Sequence, residues 1–176
     1  MPLKCALFVL LLLTACGTVY RDKQTPLVPQ ADFDAARYLG TWYEIARYPV
    51  PFQAGCTATT ATYGAIDADT ISVINQCRQG SPEGALNQIK GKADVTGPGQ
   101  LTVRFAKVPF LRGPYWVLWV DEDYETAVVG VPSGRAGWIL ARQPQITQDR
   151  RNRAEEVLRR NGYDPADLFN VPHANQ

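Results

Sequence analysis

The side chains that most often carry catalysis are scarce in this chain of 176 residues, which contains one His and four Cys. A Ser-His-Asp triad, haem ligation and a histidine metal site each need an imidazole. The one imidazole belongs to His173, beyond the last predicted strand, where we expect a solvent-exposed tail residue. The sequence also lacks the phosphate-binding motifs GxGxxG and GxxxxGK and the nucleophile motif GxSxG. These features predict a protein that is not an enzyme, with no catalytic residue, no cofactor and no metal site.

Two pairs of acidic residues could in principle act as acid and base: Asp67 with Asp69, and Asp121 with Asp123. Both pairs fall at predicted strand ends and turns, where carboxylates commonly accept hydrogen bonds from backbone amides. We therefore expect these residues to be structural.

Cys16 is positioned for a different chemistry, covalent lipid attachment. It follows an apolar run, residues 5–13, that is about half of the roughly 20 residues needed to span a bilayer. The sequence Leu13-Thr14-Ala15-Cys16 resembles the bacterial lipobox, in which the Cys is acylated and the chain is cleaved before it. We predict a lipoprotein signal peptide over residues 1–15 and lipidation of Cys16. Ordinary signal-peptide cleavage beside an incidental Cys is the alternative.

Residues 16–31 are interpreted as the acylated Cys and a flexible tether, because they include Pro and polar residues without periodicity. By resemblance to enterobacterial sorting signals, Gly17 in place of Asp favours the outer membrane, and we expect a lipid-anchored protein on its periplasmic face. Loss of Lys4 with the signal lowers the 18 basic residues to 17, equal to the 17 acidic ones. A neutral domain leaves membrane attachment to the N-terminal acyl chains.

The composition indicates a packed globular domain over residues 32–176. Hydrophobic residues make up 45% of the chain and charged residues 20%, which excludes a disordered protein, and a net charge of +1 excludes a basic nucleic-acid-binding protein. With 14 Gly, 13 Pro and 10% aromatic residues, frequent turns and few long helices are expected. An all-β fold is favoured.

Eight short segments rich in aromatic and β-branched residues predict a β-sandwich or a β-barrel. Residues 115–120 are apolar on both faces, so a second layer must cover them. The one predicted helix, from Thr147 to Asn161, is the candidate for that cover, and its five Arg are expected to face solvent. The predicted strands are about 40–48, 56–64, 69–78, 86–95, 100–108, 114–121, 125–132 and 136–142.

Cys56 and Cys77 lie at the start of one predicted strand and at the end of the next. If these strands form a hairpin in which the two Cys are opposed, residue 60 faces 73, residue 64 faces 69, and residues 65–68 form the turn. Opposed side chains are close enough for a disulfide, and an exported protein permits one. Two free buried thiols are the alternative, whereas a zinc site lacks further ligands.

Three motifs resemble the signatures of the lipocalin family. The first is the stretch from Asp32 to Arg47, which contains Gly40-Thr41-Trp42-Tyr43-Glu44. The second is Glu122-Asp123-Tyr124, in which Glu replaces the usual Thr, and the third is Arg142 at the end of the last predicted strand. The resemblance covers about residues 32–172. Together with the lipobox, these motifs resemble those of the bacterial outer-membrane lipoprotein branch of the family, the apolipoprotein D-like lipocalins.

The resemblance implies an eight-stranded antiparallel up-and-down barrel, open at one end, with one C-terminal α-helix on its outside. Gly40, Trp42 and Arg142 would form the barrel floor, where Arg142 stacks on Trp42 and reaches backbone carbonyls. In the lipocalin register Trp42 points inward, and side chains two residues apart share its face. Alternation of side chains along the strands, together with a loop that carries Phe52 and forms a lid in this family, gives the expected ligand-binding residues. They are Tyr48, Phe52, Leu101, Val103, Phe105, Tyr115, Val117, Trp119, Trp138 and Leu140. Plain core filling by these residues is the alternative.

By the same resemblance, the barrel is expected to bind a fatty acid or a lysophospholipid, for lipid storage or transport in envelope maintenance. The expected partners are this ligand and the membrane, and not nucleic acid; the sequence leaves open whether the protein is a homodimer. Two other readings of the sequence are a lipocalin-fold enzyme acting on a lipid or an isoprenoid, and a structural envelope lipoprotein without a ligand.

Overall fold

A computed structural model describes residues 18–106 and 108–174, so the predicted signal peptide and Cys16 lie outside the described residues. Within these residues, two α-helices, α1 (Ala35–Tyr38) and α2 (Gln148–Arg160), and two short 3₁₀ turns accompany nine strands. None of the described helices is long and apolar enough to cross a membrane. The strands are β1 (Gly40–Arg47), β2 (Cys56–Ala65), β3 (Thr70–Gln79), β4 (Leu86–Gly97), β5 (Gln100–Phe105), β6 (Val108–Val120), β7 (Thr126–Gly130), β8 (Gly137–Ala141) and β9 (Phe169–Asn170).

Strands β1 to β8 pair with their neighbours in chain order, all antiparallel, and β1 pairs with both β2 and β8. This second pairing of β1 closes the sheet into the predicted eight-stranded up-and-down barrel. Closure leaves no free edge along the barrel wall. The short strand β9 pairs with the C-terminal end of β1, at Ala46 and Arg47.

Helix α2 covers the outside of the barrel, as predicted. It begins after Thr147, whose side chain accepts a hydrogen bond from the backbone N–H of Arg150, and it ends before Gly162, whose φ of +83° suits glycine. Ala154 and Leu158 are fully buried against the outer faces of β6, β7 and β8. The barrel wall therefore lies between two cores, one inside the barrel and one beneath α2.

Two β-bulges change which side chains face the interior and correct two predicted ligand positions. In β1 the register shifts between Glu44 and Ala46, and in β6 it shifts between Val117 and Trp119. At each bulge two consecutive side chains face outward, so strict alternation fails beyond it. As a result Tyr48 and Trp119 lie outside the barrel, in the core beneath α2, and not in the interior.

The predicted disulfide between Cys56 and Cys77 is present, with a Cα–Cα distance of 5.4 Å, but the predicted register of its hairpin is wrong. Residue Thr60 pairs with Gln76 and not with Val73, and Ala65 pairs with Ile71. A register shift between Thr57 and Thr60 brings the two Cys together although they are not directly opposed. The turn accordingly lies later than residues 65–68, with the amides of residues 66 and 67 bonded to the carbonyl of residue 70.

The segment predicted as a flexible tether is attached to the barrel in its described part, residues 18–31, which we call the N-terminal segment. Tyr20 stacks on Tyr48, with ring centroids 5.0 Å apart. The buried Arg21 donates to the backbone carbonyls of Asn161 (3.0 Å) and Pro132 (3.3 Å) and to that of Thr25. The tether prediction failed because these residues find backbone partners on the barrel despite their lack of periodicity.

His173 was expected to be solvent-exposed, and this expectation is wrong. Its side chain is 5% exposed, and its Nε2 donates to the backbone carbonyl of Glu44 (2.9 Å). The C-terminal chain reaches this position because it continues past β9 along the outside of β1, where the amide of Val171 bonds to the carbonyl of Ile45 (3.0 Å). His173 is therefore a packing residue on the outer wall.

Candidate functional site

The interior of the barrel contains a cavity of about 1240 Å³ that opens at one end. This volume is slightly above the range of about 300–1,000 Å³ typical of small-molecule sites. Exposed residues line the cavity in the loop that carries Phe52, around Ser133 and at Thr18 of the N-terminal segment, and they mark the opening. Phe52 is 74% exposed at this opening. The cavity is mostly apolar, which suits it to an apolar ligand.

Six of the ten predicted ligand positions line this cavity, and four do not. Leu101 and Val117 face the interior but are packed in its closed core, away from the cavity. Tyr48 and Trp119 lie outside the barrel, as described above. The six that line the cavity are Phe52, Val103, Phe105, Tyr115, Trp138 and Leu140.

A buried polar cluster, which we call the mouth cluster, lies on the cavity wall near the opening. Its centre is the ion pair between Glu44 and Arg47, whose closest atoms are 2.8 Å apart and whose side chains are 6% and 5% exposed. Gln53 donates from its Nε2 to Glu44 (2.7 Å) and accepts a hydrogen bond from the Trp138 indole (3.0 Å). The cluster thereby attaches the loop of Phe52 to the barrel wall.

The electrostatics of the mouth cluster are set by burial. Loss of hydration raises the pKa of Glu44, although the charge of Arg47 and the hydrogen bonds from Arg47 and Gln53 act in the opposite direction. Arg47 also donates to the backbone carbonyls of Gln53 (3.1 Å) and Cys56 (2.9 Å), and its guanidinium lies 4.8 Å from the ring centroid of Phe169. Every member of the cluster thus has a partner within the protein.

The closed end of the barrel, which we call the floor, holds a second arginine. The Arg142 guanidinium lies 3.9 Å from the ring centroid of Trp42, a fully buried side chain. Arg142 donates to the backbone carbonyls of Tyr124 (3.1 Å), Thr41 (3.0 Å) and Arg37 (2.9 Å). Gly40, with φ of +97°, leaves room for this guanidinium, since a Cβ there would lie 3.2 Å from Nη1. The arrangement expected of Gly40, Trp42 and Arg142 is therefore present in the structure.

Three tyrosine hydroxyls meet at the inner end of the cavity, above the floor. The Tyr115 hydroxyl lies 2.9 Å from that of Tyr38 and accepts a hydrogen bond from that of Tyr63 (2.9 Å). Tyr63 and Tyr115 line the cavity, and Tyr38 comes from α1, which closes the floor. Burial raises the pKa of all three phenols, so they are neutral hydrogen-bond donors at physiological pH.

The sequence argument missed several residues of the site, among them Arg47, Gln53 and Tyr63. Arg47 was assigned to the wrong face because the bulge after Glu44 is not visible in the sequence. Tyr63 lies in β2 opposite Gly40 of β1, and it therefore faces inward on the same side as Trp42. Alternation applied to β2 as well as to β1 could have found it. Within the described residues, no three His, Cys, Asp or Glu side chains are grouped so as to hold a metal ion.

Comparisons with known proteins agree with this geometry. A family profile described as a lipocalin-like domain matches residues 33–173. The outer membrane lipoprotein Blc of Escherichia coli is 34% identical over 165 residues, which are 93% of this chain and 92% of that protein. Mouse apolipoprotein D is 32% identical over 173 residues, which are 92% of this chain and 89% of that protein.

The fold is also similar to that of insecticyanin from the tobacco hornworm Manduca sexta, with a TM-score of 0.69, 19% sequence identity and coverage of 85% of this chain and 86% of that one. The barrel, the floor around Trp42, the family profile and the two relatives lead to one assignment, and the chain belongs to the lipocalin family.

Proposed function

We propose that this protein is a membrane-anchored carrier that holds a single-chain lipid, a fatty acid or a lysophospholipid, in its barrel. The observation that carries the proposal is the apolar cavity of about 1240 Å³ with one opening. An acyl chain buried there would leave water, and each buried methylene contributes about 0.8 kcal/mol. No catalytic step is part of this function, and thiol chemistry in the barrel is disfavoured because Cys56 and Cys77 are bonded to each other.

The opening offers partners for a charged head group. Arg135 is exposed and lines the cavity at its opening, beside Ser133. A carboxylate or a phosphate at this position would be paired with a guanidinium while remaining in contact with water. This arrangement supports a ligand whose tail lies inside the barrel and whose head group stays at the opening.

The position of Thr18 supports an anchor close to the same opening. Thr18 lines the cavity, and Gly17 alone separates it from Cys16. Two residues span at most about 7 Å when extended. Acyl chains on Cys16 would therefore hold the opening near the membrane surface, where single-chain lipids are released from damaged phospholipid. We propose the outer membrane as the location, in line with the name of the Escherichia coli relative.

Two neighbouring substitutions in β2 test the carrier function. Ala61 lines the cavity, whereas the hydroxyl of Thr62 bonds to that of Thr41 on the outer surface. We expect Ala61→Phe to fill the cavity and weaken binding of hexadecanoate and hexadecanoyl lysophosphatidylcholine to delipidated protein, as followed by tryptophan fluorescence and native mass spectrometry. Thr62→Phe is the matched control and should bind both lipids like the wild type. Absence of binding by the wild type would contradict the carrier function.

The anchor is tested by Cys16→Ser, with Cys5→Ser as the control inside the predicted signal peptide. Cys16→Ser should abolish incorporation of radiolabelled palmitate and leave either soluble protein or unprocessed precursor, whereas Cys5→Ser should be labelled and sedimented with membranes like the wild type. Label on Cys16→Ser at the wild-type level would contradict the lipidation.

A further inference from the structure

The three tyrosine hydroxyls at the inner end of the cavity contain one hydrogen-bond donor more than they use. Each phenol carries one O–H hydrogen, which makes three, and each can accept up to two hydrogen bonds. The hydroxyls of Tyr38, Tyr63 and Tyr115 make two contacts among themselves, each 2.9 Å long and each using one hydrogen. Among the described residues no other acceptor bonds to these three oxygens. One O–H hydrogen is therefore left without a protein partner in this part-buried cluster, two of whose side chains line the cavity.

The surplus hydrogen resides on Tyr115 or on Tyr38, depending on which donates to the other. If Tyr38 donates to Tyr115, then Tyr115 accepts from both neighbours and its own hydrogen is free to point into the cavity, which Tyr115 lines. Accepting two hydrogen bonds also polarises the Tyr115 O–H and makes it a stronger donor. A ligand oxygen beside Tyr115 would be the single acceptor that completes this arrangement.

From this imbalance we infer that the inner end of the cavity is a binding site for an uncharged oxygen of an otherwise apolar ligand, with Tyr115 as the donor. Ketones, alcohols, esters and un-ionised acids carry such an oxygen. The inference rests on the proposed binding of ligands in the cavity, and it adds a polar contact at the buried end to the contact of the head group at the opening.

The surroundings favour an uncharged oxygen over a carboxylate. Among the described residues, no cationic side chain contacts the three hydroxyls. Burial is the main cause that raises the pKa of Tyr63, and the nearby negative charge of Glu44 raises it further. The charge of Arg142 acts in the opposite direction on the pKa of Tyr38, but Arg142 does not contact the hydroxyls. An anion beside Tyr115 would lose its hydration and approach the negative charge of Glu44, and no cationic side chain of the described residues is in contact to balance it. A carbonyl or a hydroxyl oxygen needs only the one donor that Tyr115 supplies.

The infrared carbonyl stretch of a bound ketone tests the inference. Dodecan-2-one labelled with carbon-13 at its carbonyl is bound to delipidated protein, and its stretch is compared between variants. We expect a lower stretching frequency in the wild type than in Tyr115→Phe, together with an affinity roughly three- to tenfold higher in the wild type. Tyr43→Phe, whose ring lies outside the barrel against His173, is the control and should match the wild type in both measurements.

The outcomes separate the two proposals. Failure of the wild type to bind the ketone while it binds hexadecanoate would overturn the inference alone, whereas failure to bind either compound would contradict the carrier function itself. Binding with the same carbonyl frequency in the wild type and in Tyr115→Phe would overturn the polar contact and leave the carrier function intact. If Tyr115→Phe does not fold, Tyr63→Phe removes one of the two donors to Tyr115 and should raise the frequency in part. An unchanged frequency in Tyr63→Phe would then overturn the inference.

Discussion

The two ends of the barrel both hold an arginine against an aromatic ring, but the acceptors of the two guanidinium groups differ. At the floor, Arg142 lies over Trp42 and donates to three backbone carbonyls. In the mouth cluster, Arg47 lies near Phe169 and is paired with the buried carboxylate of Glu44. The floor is thus held by neutral acceptors that do not titrate, whereas the mouth depends on an ion pair. We therefore expect changes in side-chain shape to affect stability most at the floor, and changes in side-chain charge to affect it most at the mouth.

The largest effect is expected from Trp42→Ala, which removes the ring on which the floor is built. Loss of a fully buried Trp should lower the free energy of unfolding by about 3–5 kcal/mol, as measured by urea denaturation. Trp138→Ala is the matched change at the mouth and should cost less, because Trp138 is only half-buried and faces the cavity. Equal losses in the two variants would remove the distinction between a packed floor and an open mouth.

The second effect concerns the charge at the mouth. Arg47→Met leaves Glu44 buried without its cation and should lower the free energy of unfolding by about 3 kcal/mol. The double variant Arg47→Met with Glu44→Leu removes both charges and should recover most of that loss. If the double variant were less stable than Arg47→Met, the cost would come from packing and not from an unpaired charge.

A smaller effect is expected from Arg142→Lys, which keeps the charge at the floor but loses the planar group. An ammonium cannot stack on Trp42 and reach three carbonyls at once, so a loss of about 2 kcal/mol is expected in the same denaturation experiment. Arg47→Lys should cost less, because an ammonium still pairs with Glu44. The reverse order of these two losses would show that the fork of the guanidinium matters more at the mouth.

The smallest effect is a pH dependence confined to the mouth. Burial raises the pKa of Glu44 in the folded protein above the value of about 4.3 expected in the unfolded chain. The folded state therefore binds the Glu44 proton more tightly than the unfolded state does. The stability gained from this proton is fully present below the pKa of Glu44 in the unfolded chain, and it is lost as the pH rises through the pKa of Glu44 in the folded protein. Thermal unfolding between pH 4 and pH 8 should show this decrease in the wild type and in Arg142→Lys. The decrease should be absent from Glu44→Gln, and its persistence there would assign it to another group.

Much of the fold was predictable because it depends on local rules. The helix that begins at Thr147 and the eight strands follow from residue types and spacing. Asp121 also accepts hydrogen bonds from the amides of Glu125 and Thr126, which is the structural role expected of it. These features need no knowledge of which distant segments meet.

Leu101 and Val117 face inward as predicted and miss the cavity only because they pack in its closed core. The other errors share one physical cause, which is that bulges and docked termini depend on distant partners. One extra residue after Glu44 reverses the alternation of β1 and removes Tyr48 from the cavity, and the same happens to Trp119 in β6. Nothing in the local sequence marks either bulge. His173 and the N-terminal segment are held by groups more than a hundred residues away, namely Glu44 and Asn161. A single sequence does not reveal such contacts.

The attachment of the N-terminal segment also determines how the domain would respond to mechanical load. If Cys16 is held in a membrane, tension enters the domain at Thr18 and reaches the hydrogen bond from Tyr20 to Gly134 before that from Asp22 to Gly162. Bonds loaded in this order break one at a time. Release of all 14 residues from 18 to 31 would provide roughly 45–50 Å of extended chain. The barrel could then move away from the membrane by about that distance with its cavity and its ligand intact.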